Sequence, residues 1–511
     1  MDLSEKLAKI NKRLSDETLS EKESKGREIL DSVKKNGDEA LRKFTEKFDG
    51  QKVDNFKVET GSYLEKIDIK LKHALARARY RIRLFHQKEL LRNWSYEGPM
   101  GEKLGVKYSP IESVGVYVPG GSAPLVSTVL MTVVPAKVAG VKRIVMVSPP
   151  PINDAMLAAA ELAGVDEIYQ IGGAQAIAAL AYGTETIKPV DKIVGPGNIY
   201  VSLAKKQVFG KVGIDGIYGP SELAVLADEN ANPKFIAADL LSQLEHGSGL
   251  ESVLLVSDSD KIIEESKKEV QEQLTKLGKS PEQLKTINES LEKWSDFIKV
   301  ADLKEGADVI NQYAPEHLEL MVNLDQKDHI LSLIKNAGAI FIGSSSCESL
   351  GDYFAGPSHC LPTGGTARFS SGLQSSDFIK KSSVIDFSET DKDTGVFKQT
   401  VEDVALIARA EKLEGHARAM ELRAEIKDEP KTWRKPKREE VKEEVKKEVL
   451  RSEIEEKADE LLRELEEESE FEDLPNIKEL EMSAELVNAI EADSLEITPD
   501  KETEEEFDKV D

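Results

Sequence analysis

The sequence predicts an α/β protein with two stacked α/β domains, helical segments at both ends of that body, and an acidic tail. Three observations carry this prediction. Short apolar runs alternate with helical stretches from about residue 112 to 388, the pattern of parallel sheets covered by helices on both faces. Residues before about 110 follow a helical period instead. A charged segment with two prolines, Asp428-Glu-Pro-Lys-Thr-Trp-Arg-Lys-Pro436, then closes the regular pattern.

Residues 1–110 read as a helical amino-terminal segment, with helices around 28–35, 38–48 and 63–87 and breaks at Gly37 and Gly50. Residues 111–240 form the first α/β domain. Its strands are Val114-Gly-Val-Tyr-Val118, Arg143-Ile-Val-Met-Val-Ser148, Glu167-Ile-Tyr-Gln-Ile171 and Lys192-Ile-Val194. Residues 241–388 form the second, exchange of segments between the two being allowed. Further strands are Glu222-Leu-Ala-Val-Leu226, Ser252-Val-Leu-Leu-Val256, Ala339-Ile-Phe-Ile342 and a last one, Val384-Ile-Asp-Phe387. Helices are expected over 156–163 and 235–246. The most apolar window, 123–141, contains Ser127, Thr128, Thr132, Pro135 and Lys137, which suits a buried helix rather than a membrane span. Residues 389–425 are a helical appendage. In 426–511, apolar residues from Val441 to Leu465 recur at helical spacing, so a long charged helix followed by disorder is expected.

Composition narrows the function. A length of 511 residues excludes a single small module. Of the net charge of −26, the tail beyond 425 carries −17 and the body −9. A body this acidic has no electrostatic footprint for nucleic acid. Two cysteines, Cys347 and Cys360, exclude a disulfide scaffold and suit buried neutral thiols in a reducing compartment. The amino terminus lacks a basic region followed by an apolar stretch, so a cytoplasmic protein without a membrane partner is expected.

Seven histidines allow each to be weighed. His73, His86 and His329 sit among charged residues and read as surface positions. Gln243 and His246 share a helix face before Gly247; they are either half of a metal site or a polar helix end packed on a loop. Pro315-Glu316-His317 reads as a helix start with proline first. Its Glu and His either supply two proton-transfer groups to one cleft or merely complement the helix dipole. Asp352 and His359 lie in a glycine-rich segment after a predicted strand, where α/β sheets place ligands. His416 follows a glycine in a helical region, where a surface role is the plain alternative. The Gly-x-Gly-x-x-Gly fingerprint and the Walker phosphate loop are missing. Gly195-Pro-Gly197-Asn198 and Pro119-Gly-Gly-Ser-Ala-Pro124 are turns that either approach a phosphate or simply reverse the chain.

Together these pieces resemble the histidinol dehydrogenase family, from about residue 28 to 424. The resemblance rests on Tyr117-Val-Pro-Gly-Gly-Ser-Ala-Pro-Leu125, Ile171-Gly-Gly-Ala-Gln175, Val194-Gly-Pro-Gly-Asn198 and Gly219-Pro-Ser-Glu222. It continues through Gln243-Leu-Glu-His-Gly247, Ala314-Pro-Glu-His-Leu-Glu319, Gly351-Asp-Tyr353, Leu361-Pro-Thr-Gly-Gly-Thr-Ala-Arg368 and Glu414-Gly-His416. It implies two Rossmann-like domains with incomplete nucleotide motifs, and oxidation of L-histidinol via L-histidinaldehyde to L-histidine with two NAD+. One Zn2+ per subunit would be held by Gln243, His246, Asp352 and His416. Glu316 and His317 would be the acid/base pair. Ser221, His359 and Glu411 would join His317 and the metal ligands around the substrate, and Tyr117, Gln175 and Asn198 would touch NAD+. The resemblance also implies a homodimer whose 389–425 appendage lends Glu411 and His416 to the neighbouring site. A related zinc- and NAD-dependent dehydrogenase for another small polar alcohol is the alternative. Leu244 stands where the family prefers a small residue; its side chain points about 100° from Gln243, so packing rather than ligation should change. Gln374-Ser375 replaces a usual glycine. The tail lies outside the family pattern, and no partner for it is indicated.

Overall fold

The computed structural model describes residues 16–120 and 124–425, with Glu5, Leu7 and Ile10 besides. The expected tail helix and disorder beyond 425 lie outside the described residues. The chain divides into two units, Met1–Thr390 and Asp391–Asp511.

In chain order the first unit contains β1 (Lys57–Val58), β2 (Trp94–Glu97), β3 (Lys103–Pro110), β4 (Ser113–Tyr117), β5 (Arg143–Ser148), β6 (Glu167–Gln170), β7 (Lys192–Val194) and β8 (Gly213–Ile214). There follow β9 (Glu222–Ala227), β10 (Ser252–Ser257), β11 (Asp296–Lys299), β12 (His317–Met321), β13 (Ala339–Ile342) and β14 (Ile379–Asp386). They make three sheets, ordered β1-β6-β5-β4-β7-β8, β11-β10-β9-β12-β13 and β14-β3-β2. The second sheet is wholly parallel. In the first, only β1 runs against its neighbour.

The apolar runs of the first two sheets form strands because both faces of those sheets are covered. Val114, Val116, Ile144 and Met146 pack into one cluster with the helices Ile69–Lys88, Val126–Val138 and Asp154–Ala163. Their neighbours Tyr117, Val145, Val147 and Ile193 point the other way, onto the helices Asp16–Asp49, Gly173–Tyr182 and Ile199–Val208. The second sheet repeats the arrangement: Leu226, Leu254, Leu318 and Leu320 face one side, and Val225, Leu255 and Met321 the other. Period-two alternation gives every strand an apolar residue for each face.

Four expectations are corrected. Residues 1–110 are not helical throughout, since they contain β2 and β3, which pair with each other, and β3 also pairs with β14, more than 250 residues on, as in the register Lys103↔Asp386. A strand whose partner is that remote leaves little local period. The border between the two domains falls before residue 240: β9 and the helix Pro233–Leu244 already belong to the second sheet. Pro315-Glu316-His317 does not start a helix. Ala314, at φ 54°, ends the helix Leu303–Tyr313, and the buried residues His317–Met321 become β12, the strand between β9 and β13. Burial on both faces overrides a proline-led helix signal. His86 is fully buried rather than exposed, with Nδ1 2.6 Å from Glu89 Oε2.

Leu244 is buried in the core, as its direction on the helix required. Ser375 replaces glycine without strain: its N–H donates to Glu89 and its hydroxyl to the His86 carbonyl. The second unit holds the helices Gly395–Ala410 and Glu414–Glu425, joined through Ala405, Ala408 and Ala417 and by Arg409, which bonds Glu414 and Glu421. Among the described residues no helix is long and apolar enough to cross a membrane.

Candidate active site

Strand geometry gathers the ionisable groups of the first unit. On β12, His317 and Glu319 are two residues apart and share a face, while Leu318 packs into the opposite cluster. The helix Glu348–Tyr353 follows β13 and passes over that face. Glycine at 351 permits this approach, because a Cβ there would stand about 2.5 Å from the Phe341 ring. Glu319 Oε1 accepts the Glu348 N–H at 2.8 Å, fixing the start of the helix. Glu348 and Asp352, one turn apart, then reach His317. The three groups offer ligand atoms all within 4.8 Å of one another.

His317 is held from both sides. Its Nδ1–H donates to the Glu222 carbonyl at 3.2 Å, which leaves Nε2 facing the cluster. Nε2 lies 3.4 Å from Asp352 Oδ1, in ion-pair range, without a hydrogen-bond partner. Glu316 Oε2 accepts the Glu222 N–H at 2.9 Å and stands 3.8 Å from His317 Nδ1. Burial pushes the Glu316 carboxyl up to about 8, against the opposing pull of His317. Burial pulls the His317 imidazole down, but the Glu316 and Asp352 carboxylates outweigh it and lift the ring to about 10. Burial also acts on Asp352, yet the neighbouring His317 imidazole holds it below the usual carboxylate range. Behind them, burial raises both Asp239 and Glu319. A group this rich in carboxylates around one imidazole is suited to a cation and to proton transfer.

Gln243 ends the helix Pro233–Leu244, and His246 lies just past it. The His246 ring folds back, with Nδ1 3.0 Å from the Gln243 carbonyl oxygen and 3.1 Å from its Nε2. Gln243 is fully buried and its Oε1 has no partner. Ser242, on the same turn, donates to Glu348 at 2.6 Å. His359 donates from Nδ1 to the Asp352 carbonyl, and Thr128 of the helix Val126–Val138 donates to its Nε2 at 3.1 Å. Burial lowers the pKa of its ring. Ser221 immediately precedes β9 and Glu222.

Tyr117 is the last residue of β4, and Gln175 and Asn198 follow the carboxyl ends of β6 and β7. Strand order reverses between β4 and β7, the place where open α/β sheets bind ligands. The Tyr117 hydroxyl accepts the Gly173 N–H at 3.1 Å, and Gln175 Oε1 is buried without a partner. Asn198 caps the helix Ile199–Val208. The His317 cluster departs from that rule: it lies at the amino ends of β9 and β12.

Glu411 and His416 are exposed residues of the second unit. Sequence reasoning missed Glu348, Asp239 and Thr128. Glu348 precedes Asp352 by four residues and Asp239 precedes Gln243 by four, so helical spacing from a suspected ligand was the available signal. Thr128, inside an apolar helix, gave none.

Comparison with known proteins agrees with this geometry. The profile of the family described as histidinol dehydrogenase matches residues 12–424. The histidinol dehydrogenase of Bacillus licheniformis is 48% identical over 427 residues, covering 82% of this chain and 97% of that protein. The one from Aquifex aeolicus is 48% identical over 433 residues, 83% of this chain and 98% of its own. The crystal structure of histidinol dehydrogenase from Elizabethkingia anophelis superposes with a TM-score of 0.73 at 37% identity, covering 79% of this chain and 92% of that one.

Proposed function

This chain belongs to the histidinol dehydrogenase family, and from that premise we propose that it oxidises L-histidinol through L-histidinaldehyde to L-histidine, using two NAD+ and one zinc ion. The observation that carries the reading is the His317, Glu348, Asp352 group with Glu316 buried beside it. A cation fits there. Gln243 Oε1 is buried without a hydrogen-bond partner, and the Glu348 and Asp352 carboxylates adjoin His317. Gln243, His246 and Asp352 would hold the zinc, with His416 of the partner subunit as the fourth ligand. Bound zinc would orient the amino alcohol and favour a neutral His317, while NAD+ would accept the hydride.

The chain's own groups account for the proton movements. With Nδ1–H committed to the Glu222 carbonyl, a neutral His317 presents the Nε2 lone pair and takes the proton of the substrate hydroxyl. Glu316, oriented by the Glu222 N–H, takes a proton from water as it adds to the aldehyde. Its raised pKa makes it a stronger base than an ordinary carboxylate. His359, Ser221 and Glu411 would position the imidazole and amine of the substrate, and burial of the cluster excludes bulk water between the two oxidations. Tyr117, Gln175 and Asn198 would contact NAD+.

Metal analysis of the purified full chain, combined with NADH production from L-histidinol, tests the reading. Zinc near one equivalent per subunit and two NADH per histidinol consumed are expected. No NADH with histidinol, but turnover of another polar alcohol, would overturn the substrate.

A further inference from the structure

Strand β7 ends in Gly195-Pro-Gly-Asn198, which turns directly into the helix Ile199–Val208. Gly195 adopts φ +107°, and a Cβ there would collide with the backbone carbonyl of Tyr117. The turn is therefore pressed against the end of β4. Side chains take up both backbone polar groups of Gly195. Its N–H donates to Asp215 Oδ2 at 2.7 Å, and its carbonyl accepts from Lys205 Nζ at 2.9 Å. Lys205 and Asp215 are paired with each other at 2.5 Å, their side chains each 1% exposed. Asp215 Oδ1 also accepts the Gly216 N–H at 2.8 Å, and the Lys205 ammonium lies 4.7 Å from the centre of the Tyr218 ring.

We propose that the Lys205–Asp215 ion pair is a positioning device for the cofactor half of the site, fixing the Gly195–Asn198 turn against Tyr117 so that NAD+ meets a preformed surface. The inference rests on the reading of Tyr117 and Asn198 as NAD+ contacts. A buried ion pair is rarely needed for stability alone, since a well-packed apolar pair serves as well or better. Here an apolar pair would leave the N–H and C=O of Gly195 without partners, and buried backbone groups are nearly always paired. The two side chains grip the peptide planes on either side of one residue, so they set the direction in which the turn leaves β7. Asn198, three residues on, uses Oδ1 to cap the helix at Tyr200 and Val201, which transmits that direction to the helix start.

The test uses the zinc-loaded full chain, with NAD+ and histidinol affinities measured separately by equilibrium binding and by steady-state kinetics. In Lys205→Met and in Asp215→Glu, Kd and KM for NAD+ should rise about ten- to a hundred-fold, as expected when a contact surface is displaced. Zinc content and KM for histidinol should stay at wild-type values. The double variant Lys205→Met/Asp215→Leu should be more stable than Lys205→Met, whose buried Asp215 charge is left unpaired, without regaining NAD+ affinity, which a merely structural pair would not show. If Lys205→Met does not accumulate as folded protein, Asp215→Glu, which keeps both charges, carries the same expectation. Folded variants that bind NAD+ as the wild type does overturn the proposal, as does a double variant that recovers both properties. Failure of the underlying reading is seen separately, as a wild-type chain that binds no NAD+.

Discussion

Glu316 and His317 are adjacent in sequence yet stand in different relations to the cluster, and this separates their roles. His317 directs Nε2 at Asp352, whereas Glu316 is tied through Oε2 to the Glu222 N–H. Substituting Glu316→Gln keeps an acceptor for that N–H but removes the base. Aldehyde oxidation should slow by about 10²–10⁴-fold, and alcohol oxidation by much less. Single-turnover measurement of each half-reaction checks this, and equal small losses would count against the assignment. The same carboxyl has a consequence for stability. In the zinc-free chain its pKa is raised above the ordinary value of 4.5, to about 8. A raised carboxyl binds its proton more tightly in the folded state, so its contribution is complete below about 4.5 and is lost as pH rises through about 8. Unfolding of the zinc-free protein should therefore grow easier across that window, and Glu316→Gln should flatten the trend. An identical slope in the two proteins would remove Glu316 as its source.

At the level of elements, the site depends on how β12 and the short helix Glu348–Tyr353 are locked together. One buried hydrogen bond contributes to this, from the Glu348 N–H to Glu319 Oε1. Glu319 faces Asp239 rather than the substrate, and burial raises both carboxyls. Glu319→Leu would leave the helix start unanchored and shift Asp352. Zinc affinity should fall about 10–100-fold, the usual effect of removing a group that orients a ligand. Glu319→Gln, which keeps the accepting oxygen, should stay near wild type. Competition with a chelator measures both, and equal affinity in all three proteins would show that the helix does not need this bond. The glycine at 351 belongs to the same arrangement, since a Cβ there would stand about 2.5 Å from the Phe341 ring.

For the molecule as a whole, the proposed ligands are divided between units. Gln243, His246 and Asp352 belong to the first, and His416 to the second. If the active site is completed by a partner subunit, two inactive variants should complement each other. A hybrid dimer of His246→Ala and His416→Ala has one site lacking both ligands and one lacking neither, so roughly half the wild-type activity should return per hybrid. With His416 acting inside its own chain, every site keeps a defect. A demonstrated hybrid population with no NADH production would exclude sharing.

The sequence by itself determined the class of fold and most of the strand positions. Arg143–Ser148 and Ser252–Ser257 need no partner to be recognised, because a strand buried on both faces is apolar through its middle. It also supplied the spaced motifs from Tyr117 to His416 that carry the family resemblance. Tertiary structure alone decided the rest. Residues 317–321 became a strand instead of a helix because β9 and β13 flank them, a fact no local window contains. Pairing of β3 with β14 joined segments too distant for any period to report. Glu348, Asp239 and Thr128 entered the site through burial and contact, and Lys205 met Asp215 around Gly195 only when the helix folded back along β7. Periodicity encodes which face of an element is buried; which charged groups meet there depends on long-range packing, and that is settled only when the chain closes on itself.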